Sequence, residues 1–155
     1  MFFRFLPGVV GRAARFYIAR RLFSYVGDNV NIQAGVRFGR GSLISIGTNS
    51  GLGEGSYLVA MASLIIGRDV MVGPQVMMLT GGHAYDDIEL RLIDQKIIAA
   101  PITIGDDVWI GARVIVLLGV TIGNRVVIGA GSIVTKSIPS HSLCAGIPCK
   151  VIKNI

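Results

Sequence analysis

The chain has 155 residues, of which 52% are hydrophobic and only 15% charged. That is enough for one domain with a substantial core and too apolar for a disordered chain. The low charge suits a chain that hides side faces in an oligomer. The net charge is +6, but five arginines (Arg4, Arg12, Arg15, Arg20 and Arg21) precede the first acidic residue, Asp28. Such a local cluster argues against a nucleic-acid-binding surface, and the 21 glycines without a G-X-Y period exclude collagen.

Residues 1–25 form a basic, apolar segment. Its five arginines and Pro7-Gly8 interrupt any spanning run, and it lacks the regional order of a signal peptide. Val9, Val10, Ala13, Phe16, Tyr17, Ile18 and Phe23 recur at helical spacing and predict an amphipathic helix over 9–23. Its partner is either an anionic bilayer surface or the flank of the main domain.

From Val26 an apolar residue recurs every sixth position. The runs are Val26, Ile32, Phe38, Ile44; then Ile46, Leu52, Leu58, Leu64; then Ile66, Val72, Met78; then Ile104 through Val134. Glycine commonly follows the repeat position, and a small residue comes four places after it. Neither a helix nor simple alternation gives a period of six. A solenoid does, with short strands on three flat faces, inward stacking of the repeat residue and glycine at corners. This places a β-helix over 26–138, with small corner adjustments at Ile44–Ile46 and Leu64–Ile66, and a C-terminal tail over 139–155.

The segment between Met78 and Ile104 breaks the period and predicts an external loop over about 80–102. Loops projecting from a rigid stack are favoured places for binding chemistry. Gly81-Gly82-His83 stands at its root, where an imidazole can be fixed as a catalytic base. The other histidine, His141, lies beside Pro139 in a terminal turn. Two histidines and two cysteines without ligand spacing (Cys144, Cys149) predict no metal site and no disulfide framework. Trp109, the single tryptophan, reads as subunit packing, as a channel wall, or as both.

The run from Pro101 to Pro139, followed by AGIPCKVIKNI, resembles the hexapeptide-repeat acyltransferases, most narrowly the galactoside, maltose, nodulation-factor and polysaccharide O-acetyltransferases. The resemblance implies an all-β, left-handed parallel β-helix, a homotrimer with active sites between subunits, and direct transfer from acetyl-CoA. It implies that His83 is the general base. Trp109 matches the tryptophan beside the CoA thiol, Ala112, Ala130 and Thr135 the pantetheine lining, and Lys136, Lys150 and Lys153 the basic positions near the nucleotide phosphates. The sugar enzymes typically follow this histidine with proline and aspartate. Here Tyr85, Asp86 and Asp87 are the acceptor candidates, and Val59–Ser63 offers no counterpart to the acceptor-binding asparagine of close relatives. The expected acceptor is therefore another saccharide, such as a surface-polymer unit or its lipid-linked precursor, met in the cytoplasm at the inner membrane face. Two other readings stay open: N-acyl transfer to an amino sugar, and a non-catalytic binding or assembly module.

Overall fold

The structure, a computed structural model, describes residues 5–155, so Arg4 of the basic cluster lies outside the described residues. It opens with helix α1 (Gly8–Leu22), whose last turn carries Arg20 and Arg21. Cations there complement the negative end of the helix dipole. The helix does not present the face that spacing predicts. Gly11 and Ala19 are buried and Phe16 half-buried, whereas Val9, Val10 and Tyr17 point outward. The reason is Arg15, which turns inward: its Nε donates to the Ile32 carbonyl at 2.7 Å and its Nη1 to the Leu6 carbonyl at 2.8 Å. Phe23 leaves the helix, is buried, and meets Phe38 edge-on at 4.8 Å.

The chain then winds. The first coil is β1 (Tyr25–Val26), β2 (Asn31–Ile32) and β3 (Arg37–Phe38). The second is β4 (Ile44–Ile46), β5 (Gly51–Leu52) and β6 (Tyr57–Val59); the third is β7 (Leu64–Ile66), β8 (Met71–Val72) and β9 (Met77–Leu79). A hairpin, β10 (Gly81–His83) and β11 (Ile97–Ala99), interrupts the winding. The fourth coil is β12 (Ile102–Ile104), β13 (Val108–Ile110) and β14 (Ile115–Val116); the fifth is β15 (Thr121–Ile122), β16 (Val126–Ile128) and β17 (Ile133–Val134). Finally β18 (Ser142–Ala145) continues the stack and β19 (Lys150–Asn154) folds back on it.

Corresponding strands stack into three parallel sheets, β1-β4-β7-β12-β15, β2-β5-β8-β13-β16-β18 and β3-β6-β9-β14-β17. Strand β19 extends the second sheet in antiparallel register. The parallel stack therefore runs past 138: Val126, Val127 and Ile128 pair with Ser142, Leu143 and Cys144. The repeat residues point inward and stack on one another, as in the row Leu58, Met78, Val116, Val134, every member 0% exposed. Burying each such side chain is worth about 1.5–3 kcal/mol.

The two breaks in register have a plain cause. Ser45 pairs with both Tyr25 and Ile65, so the early coils take twenty residues; Thr103 pairs with Thr121, so the later ones take eighteen. The additional residues sit at the corner between the third and first sheets, beginning with the short 3-10 turn Gly41–Leu43. The other two corners hold columns of left-handed residues. Asn29, Asn49, Asp69, Asp107, Arg125 and His141 form one, all with φ between 53° and 60°. Asn and Asp tolerate this region best among residues with a Cβ, and here Asn29 donates to Asn49 and Asn49 to Asp69, each at 3.0 Å.

Candidate active site

The hairpin that carries His83 leaves the stack at that same corner between the third and first sheets. Its two strands pair Gly81 with Ala99, Gly82 with Ile98 and His83 with Ile97. Its root is held by Thr80, which is fully buried. Thr80 Oγ1 accepts the backbone N–H of Met61 at 2.8 Å and of Ala62 at 2.9 Å, and donates to the Val59 carbonyl at 2.9 Å. The Thr80 carbonyl receives the Ala100 N–H from the returning strand. A Cβ on Gly81 would collide with the Met61 side chain, so only glycine lets the hairpin lie this close to the preceding coil.

Beyond His83 the loop is closed by Gln95. This buried side chain donates to the Asp87 carbonyl at 3.0 Å and accepts the Asp87 N–H at 3.4 Å, while the Ala84 N–H bonds to the Lys96 carbonyl. His83, Tyr85, Asp86 and Asp87 are all exposed. Asp87 spends one carboxylate oxygen on the Glu89 N–H at 3.0 Å, a turn-forming bond, so Asp86 is the less engaged of the two acids.

The residues matched to CoA binding divide into two groups. Trp109 faces outward from the middle of β13, with half its surface exposed. Register carries one row up the second sheet, from Trp109 to Val127 to Leu143 to Lys153. Three strand spacings separate its ends, roughly 14 Å. Ala112 and Ala130 lie in successive coils at the corner beside this row, and Lys150 pairs with Ala145 on the same sheet. Ala112 is packed under Gly73, where a Cβ would come within 2.7 Å of its backbone nitrogen. Thr135 and Lys136 instead follow β17, at the corner that bears the His83 hairpin. In a triangular cross-section this corner is opposite the second sheet. One chain thus holds a histidine group (His83, Tyr85, Asp86, Asp87, Thr135, Lys136) and, across its width, a tryptophan group (Trp109, Ala112, Ala130, Lys150, Lys153).

A family model for the hexapeptide repeat of succinyl-transferase matches residues 101–136. Over 138 residues the chain is 41% identical to the galactoside O-acetyltransferase of Escherichia coli (strain K12), covering 89% of this chain and 67% of the relative. The chain belongs to the hexapeptide-repeat acetyltransferases. Among solved structures of that family, a galactoside acetyltransferase in complex with coenzyme A matches with a TM-score of 0.90 at 40% identity, covering 99% of this chain and 75% of that one. A hexapeptide-repeat acetyltransferase from Vibrio cholerae O1 biovar eltor, complexed with acetyl coenzyme A, matches with a TM-score of 0.86 at 32% identity, covering 92% and 76%.

Two electrostatic features of this acetyltransferase surround the stack. Asp106 is held below the ordinary carboxylate range, first by the Arg68 backbone N–H at 2.8 Å and then by its guanidinium at 2.9 Å. Burial, with Cys149 close by, pushes the Cys144 thiol up to about 12. Among the described residues no group of three His, Cys, Asp or Glu side chains is arranged to hold a metal. Thr80 and Gln95 are functional positions that the sequence pattern does not mark. Thr80 stands in the LTGGH run beside the histidine, but nothing in the period marks it as the corner pin; Gln95 carries no sequence signal at all.

Proposed function

We propose that this acetyltransferase moves the acetyl group of acetyl-CoA to a saccharide hydroxyl, with His83 as general base. The observation that carries the reading is the presentation of His83: an exposed imidazole on a short hairpin whose root is fixed by buried hydrogen bonds. Relatives named for galactoside O-acetylation and neighbours complexed with CoA and acetyl-CoA supply the substrate classes.

In this reading His83 takes the proton from the acceptor hydroxyl as its oxygen attacks the thioester carbonyl carbon. The carbon–sulfur bond then breaks, and the departing CoA thiolate receives the proton from the imidazolium. A backbone N–H meets the developing oxyanion. The turn after β13 offers the N–H groups of Gly111 and Ala112; the Gly111 N–H is committed to the Ile128 carbonyl at 2.8 Å, which favours Ala112.

The division of the site residues across the chain supports a homotrimer in which the histidine corner of one copy faces the tryptophan row of the next. A closed cyclic assembly repeats that contact three times. Trp109 and Val127 then flank the thiol end and pantetheine arm, and Lys153 and Lys150 meet the phosphates. Lys136 approaches them from the other copy. Tyr85 and Asp86 line the acceptor side, and the protein works in the cytoplasm.

The test is CoA thiol release with a panel of mono- and oligosaccharides, followed by mass analysis of the product. Saccharide-dependent release with an alkali-labile acetyl ester supports the reading. Release only with amino sugars, giving an alkali-stable amide, assigns N-transfer instead. No binding of CoA removes the enzyme reading.

A further inference from the structure

We propose that the outward face of α1 is a docking surface for an anionic lipid bilayer. The helix closes the open end of the first coil: it packs on β1 and β2, and Arg15 satisfies the Ile32 carbonyl. Its inner face is thus already occupied, and packing against the domain leaves the outer face over.

That outer face is apolar where solvent-facing helix surface is normally polar. Val9, Ala13 and Tyr17 form one i, i+4 row and Val10 lies beside it. Val9 is 73% exposed, Val10 71% and Tyr17 67%. At 3.6 residues per turn, Arg12 borders this strip on one side and Arg21 on the other. Arg20 stands at its C-terminal end, stacked on Phe16 at 5.2 Å. Arg20 also meets Asp28 at 3.1 Å, whereas no ion pair among the described residues engages Arg12 or Arg21. No acidic residue precedes Asp28. An apolar strip edged with arginine is the pattern of a helix lying in the interface plane, its side chains reaching below anionic headgroups.

No helix among the described residues is long and apolar enough to cross a membrane, so the contact is peripheral. Charge complementarity selects the occupant. Two copies of this face meeting symmetrically would bring together two arginine-edged surfaces with no acidic residue between them, whereas binding to an anionic leaflet gains about fivefold for each arginine near its surface. The inference stands apart from the acceptor reading, since it concerns the end of the stack away from the hairpin.

The experiment is co-sedimentation of the full chain with vesicles of phosphatidylcholine alone and with added phosphatidylglycerol. Two double variants are compared, Val10→Glu/Tyr17→Glu and Arg12→Gln/Arg21→Gln. All four positions are exposed, and circular dichroism and thiol release in solution report retained folding. Wild type is expected to bind the anionic vesicles at least tenfold better than the neutral ones, with binding falling as salt rises. The glutamate variant loses binding and the glutamine variant loses at least tenfold. Equal binding to both vesicles, no binding by wild type, or full binding by the folded variants overturns the proposal. So does a change of oligomeric mass in the glutamate variant, which would assign the face to another copy of the chain.

Discussion

Thr80 Oγ1 stands 2.8 Å from the backbone nitrogen of Met61, so one buried hydroxyl joins consecutive coils at the root of the hairpin whose first strand ends in His83. The same oxygen accepts from Ala62 and donates to Val59.

Replacing Thr80 with valine keeps the shape but leaves the Met61 and Ala62 N–H groups without an acceptor. Urea unfolding should show a loss of about 1–3 kcal/mol, the cost of stranding buried polar groups. Thr80→Ser, which keeps the hydroxyl, should stay within about 1 kcal/mol of wild type. A stable Thr80→Val beside a destabilised Thr80→Ser would mean that the methyl group, not the hydroxyl, holds the corner.

Trp109 is half exposed and contributes little to the core of its own chain. Trp109→Ala should shift the unfolding free energy by no more than about 1 kcal/mol, yet raise KM for acetyl-CoA about tenfold, the loss of one good contact. Steady-state kinetics at saturating acceptor separates this from a fall in kcat. An unchanged KM would remove the row from Trp109 to Lys153 as the CoA track.

What was legible in the sequence follows from which positions point inward. A residue that must stack on its equivalent in every coil leaves a period, so Leu58, Met78, Val116 and Val134 are legible in the sequence. The excursion was readable because it breaks that period, and His83 because it opens the excursion. Other features depend on contacts between distant positions. The inward turn of Arg15 rests on a carbonyl seventeen residues away and leaves Val9, Val10 and Tyr17 of the predicted face pointing outward. Thr80 and Gln95 act through backbone groups of other segments, and no pattern of side-chain types announces such bonds. The opposition of His83 and Trp109 is a property of winding order, hidden until the coils are assigned to three sheets.

Cys144 is buried and its thiol is pushed up to about 12, chiefly by burial. The thiolate is the nucleophile, so Cys144 should resist iodoacetamide at pH 8 in the native protein. Half-buried Cys149 should react first, and both should react in denaturant. Peptide mass analysis reads this directly; native labelling of Cys144 at the rate of Cys149 would contradict the packing.

Asp106 is held below its ordinary value of 3.8 by Arg68. A lowered carboxylate pKa contributes stability above the unfolded value that is lost as pH falls through the folded one. The urea midpoint should therefore decline below about pH 4, and Asp106→Asn should decline less steeply there while starting from a lower midpoint at pH 7. Parallel curves for the two proteins would show that the Arg68–Asp106 contact is solvated away.

Proton removal by His83 is tested most directly by kcat for thiol release in wild type and His83→Ala, with acetyl-CoA affinity measured separately. With His83 as the base, kcat should fall by about 10²–10⁴, the usual contribution of a general base, with CoA binding within twofold of wild type and no change in unfolding midpoint. Turnover within tenfold of wild type would contradict it and would leave the hairpin as a positioning element without a base.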